Sequence, residues 1–221
     1  MPARPRCSAS APSVLIAIAL VVPIAFPREG RSGPTAGFLE TWPGNSLQGW
    51  GGGATYSNPG TGGAGGAGDG FLRVATLSTG NLAATSSGTE YIGNWTAAGI
   101  TGVRLWLNDV DEAQPLELHL VIGRATNFWL YNPGFIPSSQ TWDEFTVDLS
   151  SASSFTRITG TGTFEEALQN VDRLQIRHDH EPFVQSPDPI QGDFGVDHLR
   201  LTGPLVPVRS TPWGRIKALY R

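Results

Sequence analysis

Four pairs of side chains alternate out of apolar runs. They are Arg104 and Trp106 in Gly102-Val-Arg-Leu-Trp-Leu-Asn108, Glu117 and His119 in Pro115-Leu-Glu-Leu-His-Leu-Val-Ile122, Trp129 and Tyr131 in Asn127-Phe-Trp-Leu-Tyr131, and Gln175 and Arg177 in Leu174-Gln-Ile-Arg-His178. Flat rings interleaved with charged and amide groups suit sugars, whose C–H faces stack on aromatics while their hydroxyls need bidentate polar partners. If these strands are neighbours, Arg104, Trp106, His119, Trp129, Tyr131 and Arg177 share one ligand-binding surface. The alternative is that the tryptophans pack under loops or in a second core.

Catalytic patterns are weaker. His178 and His180, in His178-Asp-His180-Glu181, point the same way from a strand and could meet a metal, but no spacing marks a third ligand and HEXXH is absent. Paired carboxylates for glycoside hydrolysis stand roughly 5–10 Å apart. The nearest acidic cluster, Asp109, Asp111 and Glu112, falls in a turn before Pro115, where acids are usually just solvated. The chain has no G-x-S-x-G, no P-loop and no dinucleotide fingerprint. An enzyme is therefore not expected.

The elements that must position these residues are strands. Apolar residues mostly alternate in Phe71–Leu77, 102–108, 115–122, 127–131, Phe145–Leu149, 174–178 and Phe194–Leu201, which is the period of half-buried strands. Thr163-Phe-Glu-Glu-Ala-Leu-Gln-Asn-Val171 is the one helical stretch, with Thr163 as N-cap and Glu166 completing a capping box. Between Gly49 and Gly70, eleven of 22 residues are glycine, which predicts a long surface loop without core residues. No period of 20–50 residues recurs. The fold class expected is all-β: an antiparallel two-sheet sandwich with one short helix.

The chain has 221 residues, of which 39% are hydrophobic, 10% aromatic and 15% charged, with 28 Gly and seven Trp. That is enough for a core and too little charge for a disordered polyelectrolyte. Arg4 and Arg6 precede a 13-residue apolar run, Val14–Phe26, too short to span a bilayer and suited to a secretory signal, so residues 1–36 read as leader and linker. The single cysteine, Cys7, lies in that leader, which leaves the exported body without disulfides and favours a bacterial origin. Residues 34–204 carry 18 acidic and seven basic side chains, a net of −11, which opposes nucleic-acid binding. Residues 204–221 form a Pro-rich, basic tail expected either to be a disordered terminus or to serve cell-surface attachment.

Three stretches in order resemble jelly-roll carbohydrate-binding and galactose-binding-like modules: Phe38-Leu-Glu-Thr-Trp-Pro-Gly-Asn-Ser-Leu-Gln-Gly-Trp50, Gly68-Asp-Gly-Phe-Leu-Arg-Val74 and Gly195-Val-Asp-His-Leu-Arg-Leu201. The middle, Trp95 followed by Ala97-Ala-Gly-Ile-Thr-Gly-Val-Arg-Leu105, is similar to the laminin B (laminin domain IV) type, without its cysteines. The resemblance spans residues 37–203 and implies a jelly roll. It also implies a structural Ca²⁺ held by Glu40, Asp69 and Asp197, joining the first and last strands, although Asp197 could instead cap a bulge and Glu40 be solvated. The combined expectation is a secreted, non-catalytic binding or adhesion module for extracellular or cell-wall glycan. A structural surface protein with protein partners and a polysaccharide-cleaving enzyme remain the alternatives.

Overall fold

The computed structural model describes residues 33–111 and 114–204. Nearly all of the expected leader, the tail from residue 205 and Glu112 lie outside the described residues. Eleven strands and one α-helix follow in order. The strands are β1 (Leu39–Glu40), β2 (Thr55–Ser57), β3 (Leu72–Asn81), β4 (Ala83–Ser86), β5 (Gly102–Asp109), β6 (Leu118–Arg124), β7 (Asn127–Tyr131), β8 (Asp143–Asp148), β9 (Phe155–Gly160), β10 (Arg173–His178) and β11 (Pro189–Thr202), and α1 (Phe164–Gln169) lies between β9 and β10. One sheet runs β2-β3-β11-β5-β8, with β1 added against β11, and the other runs β4-β10-β6-β7-β9. Every strand pairing is antiparallel.

The two sheets meet face to face because each strand offers them an apolar row. Val103, Leu105 and Leu107 of β5, Leu118, Leu120 and Ile122 of β6, and Leu174 and Ile176 of β10 lie in one buried cluster with Leu72, Val74, Phe194 and Val196. Each such side chain contributes about 1.5–3 kcal/mol on burial, and that row-on-row contact is what holds the sandwich. The helix begins as its sequence requires: Thr163 accepts from the Glu166 N–H while Glu166 reaches back to the Thr163 N–H.

Two expectations need correction. The glycine-rich segment is not free of core: Trp50 is buried against Trp42 and Tyr91, and β2 forms inside it. In β7 the phase is the reverse of the one expected. Trp129 and Tyr131 face the space between the sheets, packing on Phe164 and on Phe135 and Phe155 respectively. Phe128 and Leu130 face outward, where Val121, Ile158 and Phe183 cover them. Every one of Phe-Trp-Leu-Tyr is apolar, so alternation alone could not choose between the faces.

β11 carries a bulge. Asp197 pairs with Trp106 but Arg200 pairs with Arg104, so three steps on β11 match two on β5, and His198 takes φ of 45°. The extra residue keeps Val196, Leu199 and Leu201 in the core while turning Asp197 and Arg200 to the other face.

Candidate ligand-binding groove

The bulge and the alternation of β5 together build the outer face of the first sheet. One row across it reads Leu39, Arg200, Arg104, Thr146, and the next reads Asp197, Trp106, Glu144. Between them lies a groove of about 320 Å³ lined by Leu39, Arg104, Trp106, Glu144, His198 and Arg200. Trp106, half-buried, is one of the residues lining it. Arg104 Nη2 is 2.6 Å from both Glu144 carboxylate oxygens, which orients the guanidinium beside the ring. One row further on, the face is closed. Trp142 and Phe71 meet edge to face at 5.1 Å over Gly195, and Trp142 Nε1 donates to the Gly62 carbonyl at 2.9 Å. An aromatic platform, two guanidiniums, a carboxylate and an imidazole thus converge on one open depression, a composition suited to a polyhydroxylated ligand.

His198 joins the groove to a carboxylate cluster, its Nε2 lying 3.7 Å from Asp69 Oδ2. Asp69, Asp197 and His198 bring their polar atoms within 4.8 Å of one another. The glycine-rich loop makes this approach. Ala64 N donates to Asp197 Oδ2 at 2.8 Å, Gly65 N to Asp69 Oδ2 at 2.6 Å, and His198 N to Asp197 Oδ1 at 2.7 Å. Burial first, and more weakly the Asp69 charge, push the Asp197 carboxyl up to about 6, against the opposing pull of the Ala64 and His198 N–H groups. Glu40 is not part of the cluster: it pairs with Leu199, and after burial itself its charge helps raise the buried Tyr91 phenol, which places it on the core side of the sheet. Calcium wants six to eight oxygens at about 2.3–2.6 Å. Two carboxylates and an imidazole are on hand here, and three carboxylate oxygens also accept backbone N–H groups, which fastens the glycine-rich loop.

The other residues expected at the ligand surface lie on the second sheet. Trp129 and Tyr131 are turned inward, as described above. His119 and Arg177 do face outward, but both are fully buried beneath the strap of residues 179–188. Arg177 Nη1 donates to the Gln185 carbonyl at 2.8 Å, Nη2 donates to the Val184 carbonyl, and the guanidinium pairs with buried Asp179. Phe183 of the strap meets the His119 ring edge to face at 4.9 Å. Of the six residues, only Arg104 and Trp106 come together at an open surface. Sequence reading missed Glu144, Arg200, His198 and Leu39. The signals for Arg200 and His198 were present in Val196-Asp-His-Leu-Arg-Leu201, where the apolar spacing slips from two to three.

No family model matches the chain, and no curated protein matches it by sequence. Solved structures do. A family 11 carbohydrate-binding module from Clostridium thermocellum, in complex with a β-1,3-1,4-mixed-linked tetrasaccharide, is similar at 19% identity with a TM-score of 0.50, covering 78% of this chain and 98% of that one. A solution structure of a family 11 module matches at 18% identity and a TM-score of 0.50, over 80% of this chain and 99% of that one. An exo-β-agarase matches at 10% identity and a TM-score of 0.53, over 75% of this chain and 24% of the agarase. The class so defined is a fold, the two-sheet jelly roll that carbohydrate-binding modules share.

Proposed function

We propose that this protein is a non-catalytic glycan-binding module and that the Trp106 groove is its binding surface. The carrying observation is half-buried Trp106 lining an open groove together with Arg104, Glu144, His198 and Arg200. A sugar ring stacks on the indole while guanidinium and carboxylate groups take its hydroxyls. The fold likeness to a module solved with a β-1,3-1,4-mixed-linked tetrasaccharide agrees with this reading. Export by the N-terminal leader and retention at the cell surface through the basic tail complete the proposal, since an acidic body without cysteine suits a bacterial exterior. Affinity electrophoresis through gels containing soluble β-glucans, xylan or agarose tests it. At least one polysaccharide should retard the protein, and Trp106→Ala should abolish the retardation. Equal mobility in every gel, or retardation that survives Trp106→Ala, overturns the reading.

A further inference from the structure

The lining of the Trp106 groove runs against the charge of the body that carries it. Arg200 of β11 and Arg104 of β5 are direct cross-strand partners, and both line the groove. Like charges placed directly opposite on neighbouring strands repel. Arg104 is answered by Glu144, which reaches it from β8 on the far side. Arg200 is exposed, and among the described residues its guanidinium has no carboxylate partner. Glu144 stands two strands from Arg200 and is already engaged by Arg104. Asp148, the next outward acid along β8, bonds Ser150 and does not line the groove. His198 faces Asp69 at 3.7 Å, so any charge on its ring is met there. The lining thus holds two guanidiniums against one carboxylate, in a body of net −11 over residues 34–204.

We propose that the unanswered Arg200 guanidinium selects a carboxylated sugar, so that the glycan of this groove is a mostly neutral chain bearing uronic-acid residues. This rests on the Trp106 groove being the glycan-binding surface, and adds what the chain must carry. A carboxylate set between Arg200 and Arg104 accepts charge-assisted hydrogen bonds from both and relieves their repulsion. The planar guanidinium fork matches a two-oxygen acceptor better than a single hydroxyl. Spacing agrees. A strand advances about 3.4 Å per residue and its neighbour lies roughly 5 Å away, which puts Arg104 about 7 Å along β5 from Trp106 and Arg200 beside Arg104. A sugar ring stacked on the indole therefore offers a ring substituent, or the next residue of its chain, to the guanidinium pair. Charge density sets the other limit. With a Debye length of about 8 Å at physiological salt, one carboxylate feels mainly the groove, whereas a chain charged at every residue also meets the acidic body. Uronates spaced along a neutral chain satisfy both conditions.

Isothermal titration of the full chain compares an acidic glucuronoxylan oligosaccharide with the same oligosaccharide after its carboxyl is reduced to the primary alcohol, a change that removes the charge and keeps the ring. The acidic form should bind about tenfold tighter or more, and added NaCl should erode that preference. Arg200→Gln should bring the two forms to within about twofold of each other, with no fall in melting temperature, since it separates two like charges. Equal affinity of the wild type for both forms, each lost in Trp106→Ala, overturns the inference and leaves the groove standing. A preference that survives Arg200→Gln overturns it as well. So does binding of neither form, and Trp106-dependent retardation by β-glucan or agarose then decides the groove separately.

Discussion

Two sites of buried charge, the Arg177–Asp179 pair and Asp197, have tasks that single substitutions expose. Arg177 and Asp179 are both fully buried, and the guanidinium also holds the strap through the Val184 and Gln185 carbonyls. Arg177→Ala leaves Asp179 an uncompensated buried charge, so chemical denaturation should show a loss of about 3–5 kcal/mol. Glycan affinity should be retained under conditions where the variant is folded, because the groove lies on the other sheet. Asp197 gives a pH signature with a definite sign. Its folded value of about 6 lies above its ordinary value of 3.8, so the native state binds the proton more tightly than the unfolded chain. The stability this residue supplies is therefore greatest below about pH 4, falls as pH rises towards 6, and is flat above. Unfolding free energies of the wild type relative to Asp197→Asn should fall by on the order of 2 kcal/mol between pH 4 and pH 7. A difference that stays constant or rises would remove the buried carboxyl from the explanation.

Elements set which residues can meet. In the glycine-rich loop, a Cβ at Gly63 would stand 2.6 Å from Asp197 Oδ2, 2.9 Å from Asp69 Oδ2 and 2.8 Å from the Gly70 carbonyl. Gly63→Ala should cost about 1–3 kcal/mol in thermal or chemical unfolding, as overpacking does. Added Ca²⁺ tests the cation expected at the cluster: a rise of several degrees in melting temperature that Asp197→Asn abolishes places it there, and an unchanged melting temperature removes it. The same elements show how far sequence reading reached. β5 was fully legible, because Val103, Leu105 and Leu107 alternate with Arg104 and Trp106, and so was the capping box of α1. β7 was not, because a uniformly apolar strand carries no phase. His119 and Arg177 read correctly as outward-facing, yet the strap that buries them is a loop, and nothing in the periodicity of a strand announces what a distant loop will cover. The grouping of Asp69 with Asp197 followed from the family resemblance, whereas the place of Glu40 depends on a two-residue strand whose facing cannot be read from so short a run.

At the scale of the whole molecule, one sandwich presents two unlike outer surfaces. The second sheet's is covered by the strap over Val121, Phe128 and Leu130, while the first sheet's leaves Trp106 at an open groove. The net charge of −11 over residues 34–204 disfavours phosphate polymers as partners. The two tryptophans of the central strands separate the surfaces experimentally. Trp106 stands in the groove, whereas Trp129 packs on Phe164 with its Nε1 donating to Asn127 Oδ1 at 2.8 Å. Isothermal titration of one bound oligosaccharide into Trp106→Ala and Trp129→Phe is the most direct measurement. The expected result is a loss of at least tenfold in affinity for Trp106→Ala with its melting temperature nearly unchanged, and wild-type affinity for a less stable Trp129→Phe. Undiminished binding by Trp106→Ala, with affinity lost in folded Trp129→Phe, would contradict the assignment of the groove.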